Sequence, residues 1–341
     1  MYQISRRLAQ AGAEVTVLTT DPSGQLAVCE QVEGVTVRRV RAWPAKRDYY
    51  FAPGIVPVID DNDWDVVHVQ SYHTAVAPTA MLAAVRARIP FVVTFHGGGH
   101  SSGLRNKLRR LQRGLLRPLL ARAARLVALA SFEVDQYVSE LCLPASRFIV
   151  IPNGADLPPA ARTEVGSDKR IIASIGRLEQ YKGHQRILAA MPAILLQEPN
   201  ARLWIAGVGP YEATLRRQAQ QLGVAGQVEI RAIPAGERAA MASEISRTAL
   251  VVLLSDYETH PIAALEALAL GRPLLVADNS GMRELAQRGW ARAIPVSSSA
   301  QQVAQAVIGQ LRHPLLPGAI QLPTWDDCTH ELWGLYQAVR L

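Results

Sequence analysis

The sequence predicts an α/β protein built from two doubly wound, parallel-sheet domains. Three observations carry this. The chain has 341 residues, long enough for two domains, and 49% of them are hydrophobic, so a sizeable core is expected. Short β-rich runs alternate with helical patterns along both halves, as in strands joined by crossover helices. A stretch rich in proline, alanine and polar residues, 155–169, separates the halves.

The elements follow in order. The opening MYQISRRLAQAGAEV reads as a helix leading into a strand and lacks the apolar region of a secretory signal. Strands are expected at 14–20, 35–40, 65–70, 91–96, 126–130 and 148–151, with a helix at 74–88. The second half repeats the plan, with strands at 170–175, 202–206, 227–230, 250–254 and 273–277 and helices at 184–197 and 211–222. Pro192 should kink the first of these helices. A final helix at 325–340 carries apolar Leu332, Leu335 and Tyr336. The expected domains are 1–155, 165–322 and a terminal helix, 325–341. In doubly wound sheets, ligands bind beyond the carboxyl ends of the strands.

Composition narrows the function. Charged residues make up 19%, and nothing points to disorder. No apolar run reaches the ~18 residues of a membrane span. Cys29, Cys142 and Cys328 are widely spaced without a C-x-x-C, which reads as reduced thiols in a cytosolic protein. The net charge of +7 favours an anionic partner: nucleic acid, a membrane surface or a phosphorylated substrate.

DYETHPIAALEALALG, residues 256–271, is the most informative stretch. Pro261 suits the first position of a helix, Ile262, Leu265, Leu268 and Ala269 form an apolar stripe, and Gly271 fits the left-handed cap. The N–H groups of Ile262 and Ala263 then lie free at the positive end of the helix, which suits a phosphate. Glu258 precedes the helix. Glu266 lies about 7.5 Å along it from Pro261, so one carboxylate stands on each side of the phosphate position. A solvated helix face is the competing reading.

SIGRLEQYKGH, residues 174–184, places Arg177 and Lys182 in a glycine-flanked loop between a strand and a helix, where two cations can fold around a diphosphate. A surface loop with two solvated cations is the alternative. In TFHGGGH, residues 94–100, His96 ends a strand ahead of three glycines, while a structural histidine is the plainer reading. VIPNGAD, 150–156, places Asn153 at the end of the first half, where an ordinary Asn-Gly turn competes. LWIAGVGP, 203–210, gives Gly207 and Gly209 a tight turn; Pro210 and the lack of a third glycine break the dinucleotide fingerprint. ADNSGMRELA, 277–286, offers Ser280 and Gly281 to the same region. There is no H-E-x-x-H and no Walker loop, and no metal is expected.

Taken together, these segments resemble the retaining glycosyltransferases of family 4, which have the GT-B fold. The carboxylate stretch is similar to their E-x7-E motif and the loop at 176–183 to their G-R-x-x-x-x-K-G pattern. The matches run in family order over nearly the whole chain, from about residue 14. The resemblance implies two Rossmann-like domains facing across a cleft, with the last helix crossing back to the first. It implies transfer of a sugar from a nucleoside-diphosphate sugar, UDP- or GDP-linked, to an acceptor hydroxyl with retention, in cell-surface glycan or glycolipid synthesis. The acceptor is a glycan or a lipid-linked molecule, and no cofactor is needed. His96, Glu258, Arg177 and Lys182 would serve catalysis. Asn153, Gly207, Thr259, Pro261, Ile262, Ala263 and Glu266 would bind the donor with Arg177 and Lys182. Family members usually open with a strand and a glycine-rich loop, so the first domain is expected to lack its first strand and to leave sheet edges exposed. Thr259-His260 also departs from the family pattern and should reshape the sugar pocket.

Residues 104–125 hold eight arginines or lysines and no acid, with Leu104, Leu108, Leu111, Leu115 and Leu119 at helical spacing. This fits attachment to an anionic membrane surface, which would make the protein cytoplasmic and peripheral at the inner face. The alternative is a core stripe with solubilising arginines, and Pro118 is placed to interrupt the helix. The absence of aromatics there argues against single-stranded nucleic acid. A sugar-nucleotide epimerase or phosphorylase of the same plan, and a non-catalytic sugar-nucleotide-binding protein, are the competing functions.

Overall fold

A computed structural model describes residues 1–45, 50–61, 63–97, 103–155, 157–158, 170–318 and 320–340, with the backbone alone at 103–110. The chain divides into two compact units, one of Met1–Gly97, Gly103–Gly154 and Pro323–Leu341, the other centred on Ala155–Leu322.

The first unit runs α1 (Tyr2–Gln10), β1 (Val15–Asp21), β2 (Cys29–Val32), β3 (Val35–Arg41), α2 (Ile55–Asp60), β4 (Val67–Gln70), α3 (Val76–Ala87), β5 (Phe91–Thr94), α4 (Gly103–Leu120), β6 (Arg125–Ala128), α5 (Ser131–Leu141) and β7 (Phe148–Val150). Its strands form two sheets, in the orders β1-β3-β2 and β4-β5-β6-β7. All pairings are parallel except β2 with β3. β2 has no buried residue, hence no alternation to read in the sequence. It turns into β3 through Glu33 and Gly34, both at positive φ, as a tight hairpin requires. β1 and β4 each end a sheet, and a cavity of about 310 Å³ is lined by Val17 and Leu18 of the one, Val67 and Val69 of the other, and Ile59 of α2. The core of this unit centres on Phe95, stacked on Tyr137 with ring centroids 4.1 Å apart.

The basic helix α4 corrects the expected stripe. Leu116 and Leu120 are buried, whereas Leu111 and Leu115 are 62% and 72% exposed. The side chains of Leu104 and Leu108 lie outside the described residues. Leu119 of the predicted line is partly buried against the same core, so the core-facing line is centred on Leu116 and Leu120, one position, about 100°, around the helix from exposed Leu111 and Leu115. Arg117 donates to the carbonyls of Leu141 and Cys142 and so satisfies the end of α5. Arg113 pairs with Glu140. The helix also runs through Pro118.

The second unit alternates strictly: β8 (Arg170–Ile175), α6 (His184–Gln197), β9 (Ala201–Ala206), α7 (Glu212–Gln221), β10 (Val228–Ile230), α8 (Arg238–Ser246), β11 (Leu250–Leu253), α9 (Ile262–Ala269), β12 (Leu274–Ala277), α10 (Ser280–Gln287), β13 (Arg292–Ile294) and α11 (Ala300–Arg312). The sheet order is β10-β9-β8-β11-β12-β13, parallel throughout. β11 and β12 are wholly buried, which is why they read as unbroken apolar runs. α6 spans His184–Gln197 with Pro192 inside it, and Ile187, Leu188, Met191 and Ile194 are buried along it. That packing offsets the lost backbone hydrogen bond. The chain ends in α12 (Trp325–Arg340), whose Cys328, Leu332 and Leu335 pack with Val92, Val127 and Ile151 of the first unit.

Candidate active site

The order of the second sheet reverses between β8 and β11. The loops after these two strands therefore diverge to opposite faces and leave a crevice at their carboxyl ends, where doubly wound sheets bind ligands. The two most telling sequence stretches are those loops.

The loop after β8 is rigid. His184, buried, receives a hydrogen bond at Nδ1 from the Ser174 hydroxyl (2.8 Å) and donates from Nε2 to the Arg177 carbonyl (3.1 Å). Burial holds its pKa down to about 4, so it stays neutral and keeps one donor and one acceptor. Gly183, at φ +75°, ends the loop; a Cβ there would stand 1.9 Å from the Leu254 carbonyl oxygen. Only glycine lets Lys182 approach the end of β11 so closely. Asp256 N–H then donates to Tyr181 O at 2.7 Å.

Lys182 Nζ donates to Glu258 Oε1 at 2.6 Å, and both side chains are 16% exposed. The Ser255 hydroxyl adds a bond to the same oxygen at 2.8 Å. Arg177 takes a different direction. Its guanidinium meets Glu179 at 2.9 Å and the Tyr181 hydroxyl at 2.5 Å, and its side chain is 65% exposed. The two cations nevertheless share one ring: Arg177 Cζ lies 5.9 Å and Lys182 Nζ 5.4 Å from the Tyr181 centroid.

α9 opens beside this pair. Pro261 is the residue before the helix, not its first residue, with extended backbone (ψ 90°) and no side-chain cap. The bonds of the first turn begin at Ala264 N, so the N–H groups of Ile262 and Ala263 point out of the helix start. Gly271 takes the left-handed conformation expected of it (φ +67°). Of the expected stripe, Leu265 and Leu268 are buried, Ile262 is partly buried and Ala269 is exposed. Glu266 is buried and pairs with Arg238 of α8.

A third loop, after β12, clamps the second. The Ser280 hydroxyl accepts from Glu258 N–H (2.9 Å), and Gly281 N–H donates to Glu258 O (2.8 Å). The Asn279 amide donates to the carbonyls of Ser255 and Asp256. Thr259 is buried in this clamp. Gly207 and Gly209 serve packing more than turning: Cβ atoms there would stand 1.9 Å from Gly176 O and 2.4 Å from Leu178 O. The structure thus brings together Arg177, Lys182, Glu258, Thr259, Pro261, Ile262, Ala263 and Glu266, with Gly207 behind them. Asn279, Ser255, Tyr181, His184 and Arg238 were not singled out in the sequence. Asn279 alone carried a local sign, as a helix N-cap residue before α10.

His96 and Asn153 belong to the first unit. His96 Nε2 lies 2.5 Å from Gln70 Oε1 and so donates to it, and His73 Nε2 lies 3.1 Å from the His96 carbonyl. Burial first, then the chain's amino terminus and His73, hold His96 down to about pKa 4. Asn153 is half-buried after β7, beside Gly154, whose α-carbon abuts the Thr324–Trp325 backbone. Gly98, Gly99, His100 and the linker at 159–169 lie outside the described residues. Two further spacings occur. Gly99–Gly103 reads G-x-S-x-G, four of its residues being outside the described set, and Asp-x-Asp occurs at 61–63 and 63–65, where Asp65 pairs with Arg340 at 2.8 Å. Among the described residues, no group of three or more His, Cys, Asp or Glu side chains converges as a metal site.

The family profile described as Glycosyltransferase Family 4 matches residues 1–158, and that of Glycosyl transferases group 1 matches residues 160–317. The chain belongs to glycosyltransferase family 4. Over 262 residues it is 29% identical to a GDP-mannose:cellobiosyl-diphosphopolyprenol alpha-mannosyltransferase of Xanthomonas oryzae pv. oryzae (strain PXO99A), covering 76% of this chain and 67% of that protein. Its fold is that of sucrose-phosphate synthase from Thermosynechococcus elongatus (TM-score 0.77, 18% identity, 98% of this chain and 91% of that one). Anabaena HepE in complex with UDP and glucose is also similar (TM-score 0.70, 16% identity, 96% and 97%). This family 4 chain is therefore a GT-B glycosyltransferase using a nucleotide sugar, and the epimerase, phosphorylase and non-catalytic readings are not favoured.

Proposed function

We propose that this chain moves a hexose from a UDP- or GDP-sugar to a hydroxyl of a glycan or lipid-linked acceptor, with retention of the anomeric configuration. The observation that carries the reading is the Lys182–Glu258 pair, 2.6 Å long, set against the uncapped start of α9. A leaving diphosphate gathers negative charge as the glycosidic bond breaks. Lys182 and the N–H groups of Ile262 and Ala263 stabilise that charge from fixed positions in a partly dry crevice, and Arg177 adds its charge from the exposed side of the loop. Glu258 takes the donor sugar's hydroxyls and Glu266 those of the ribose. His96 contacts the donor sugar, and Asn153 adds a donor contact. The leaving phosphate accepts the acceptor's proton, so no protein nucleophile is required.

A lipid-linked acceptor and peripheral attachment at the cytoplasmic face through 104–125 are supported by exposed Leu111 and Leu115 on an arginine-rich helix. No helix among the described residues is long and apolar enough to cross a membrane.

The test is a thermal-shift screen of UDP-, GDP- and ADP-sugars on the wild-type chain and on Lys182→Ala. A ligand at 100 times its dissociation constant stabilises by about 2.7 kcal/mol. The expected result is a shift with one UDP- or GDP-sugar that Lys182→Ala loses. Equal shifts in both proteins would overturn the reading.

A further inference from the structure

β4 and β5 run side by side, with His68 opposite Val92 and Gln70 opposite Thr94. Strand alternation puts these four residues on one face of the sheet. α12 covers that face, since Val92 clusters with its Leu332 and Leu335. Polar residues there are costlier than apolar ones unless they find hydrogen-bond partners. His68 finds two: the Tyr336 hydroxyl of α12 meets its Nδ1, and the Thr94 hydroxyl lies 2.6 Å from its Nε2. The Gln70 amide then reaches from one histidine to the next. Its nitrogen lies 3.2 Å from both ring nitrogens of His68, and its oxygen lies 2.5 Å from His96 Nε2.

We propose that Gln70 is a positioning residue that fixes His96 in the Nε2–H tautomer and so presents Nδ1 as a hydrogen-bond acceptor to the donor sugar. The inference rests on the reading of His96 as a donor-sugar contact. Burial keeps both rings neutral, His68 at a pKa of about 3 and His96 at about 4, so each carries one proton and one lone pair. A neutral imidazole left to itself can move its proton to the other nitrogen, and it would then offer the sugar a donor instead of an acceptor. Gln70 removes that choice. An amide oxygen only accepts, so the His96 proton lies on Nε2. Turning the amide over would set its oxygen against the His68 lone pair and its N–H groups against His96 Nε2–H. The chain of partners that begins at Tyr336 therefore decides which end of Gln70 faces His96.

The experiment reads the tautomer directly, by long-range proton–nitrogen NMR of the full chain labelled at its histidine nitrogens, with the His96 signals identified by their loss in His96→Ala. Wild type should show a protonated Nε2 and an unprotonated Nδ1 at His96. Gln70→Met keeps the length and removes the amide, so its His96 signals should move toward the average of the two tautomers. Gln70→Glu restores an acceptor and should return the proton to Nε2, a rescue that a purely structural role of Gln70 would not give. Calorimetry with UDP-glucose and GDP-mannose, each against bare UDP and GDP, reads the consequence. Gln70→Met should bind the preferred sugar nucleotide about tenfold more weakly, the worth of one hydrogen bond, and the bare nucleotide as wild type does. A proton on Nδ1 of wild-type His96, or an unchanged tautomer in Gln70→Met, overturns the proposal. So does unchanged binding of the sugar nucleotide by Gln70→Met where His96→Ala loses it. If His96→Ala binds the sugar nucleotide as wild type does, the reading of His96 is overturned instead. If Gln70→Met does not fold, Gln70→Glu alone decides: a His96 without a proton on Nε2 there overturns the proposal.

Discussion

Substituting Gly281 by alanine tests whether the three loops form one rigid site. Gly281 N–H donates to Glu258 O, and a Cβ at Gly281 would lie 2.1 Å from Thr259 O and 3.0 Å from Glu258 O. Both neighbours are backbone, so no rotamer relieves the clash. To reach even 3.0 Å from Thr259 O, the segments must part by about 0.9 Å, a strain of about 1–3 kcal/mol. That is less than the stability of a typical domain, so the protein should remain folded. The displacement falls on Glu258 and Thr259, and misplacing a reacting group by about 1 Å costs on the order of 10²-fold in rate. The assay is steady-state sugar transfer alongside thermal unfolding. Gly309, inside α11, has nothing within 4 Å of its Cβ position, so Gly309→Ala should gain about 0.5–1 kcal/mol and keep wild-type kcat/KM. A Gly281→Ala protein with kcat/KM within twofold of wild type would refute the reasoning.

Other outcomes follow from the same geometry. Lys182→Met should lower kcat/KM by on the order of 10²-fold and stability by about 1–3 kcal/mol, because half-buried Glu258 is left without its cation. Adding Glu258→Gln should restore stability in urea unfolding without restoring transfer; restored transfer would contradict the assigned roles. Burial holds His96, His184 and His260 down to about 4 and His68 to about 3, all below the ordinary 6.5. Their unfolded forms bind protons first. Stability is therefore complete above pH 6.5 and lost as pH falls toward 4, by up to about 1.4 kcal/mol per pH unit for each histidine, and denaturant midpoints equal at pH 7 and pH 5 would contradict this. Leu115→Ser should change stability by less than about 0.5 kcal/mol, whereas Leu120→Ala should cost about 2–5 kcal/mol; equal costs would show that the face of α4 is wrongly assigned.

What could be read from the sequence was what depends on period and on local backbone rules. β11 and β12 announced themselves because both their faces are buried, and the end of α9 because Gly271 suits a left-handed cap. What escaped depends on contacts distant in sequence. The phase of α4 is set by which leucines meet β5 and α5, and leucines at consecutive positions offer two phases. Asn279 reaches 24 residues back to Ser255, and Arg238 reaches 28 residues forward to Glu266. No local pattern marks such partners.

These distant contacts also explain how two carboxylates and two cations coexist in a crevice offered to a doubly charged ligand. Without a donor, half-buried Glu258 is held by Lys182 and buried Glu266 by Arg238, so neither carboxylate stands alone. On the proposed reading, the donor's diphosphate draws on the same Lys182. A lysine presents three donors, so it can keep Glu258 and take a phosphate oxygen at once, and binding need not expose the carboxylate. Charge still accumulates on the diphosphate as the sugar leaves, and the share of Lys182 given to Glu258 then falls while its share given to phosphate rises. That shift makes the interaction stronger in the transition state than in the ground state, the condition for acceleration rather than mere affinity.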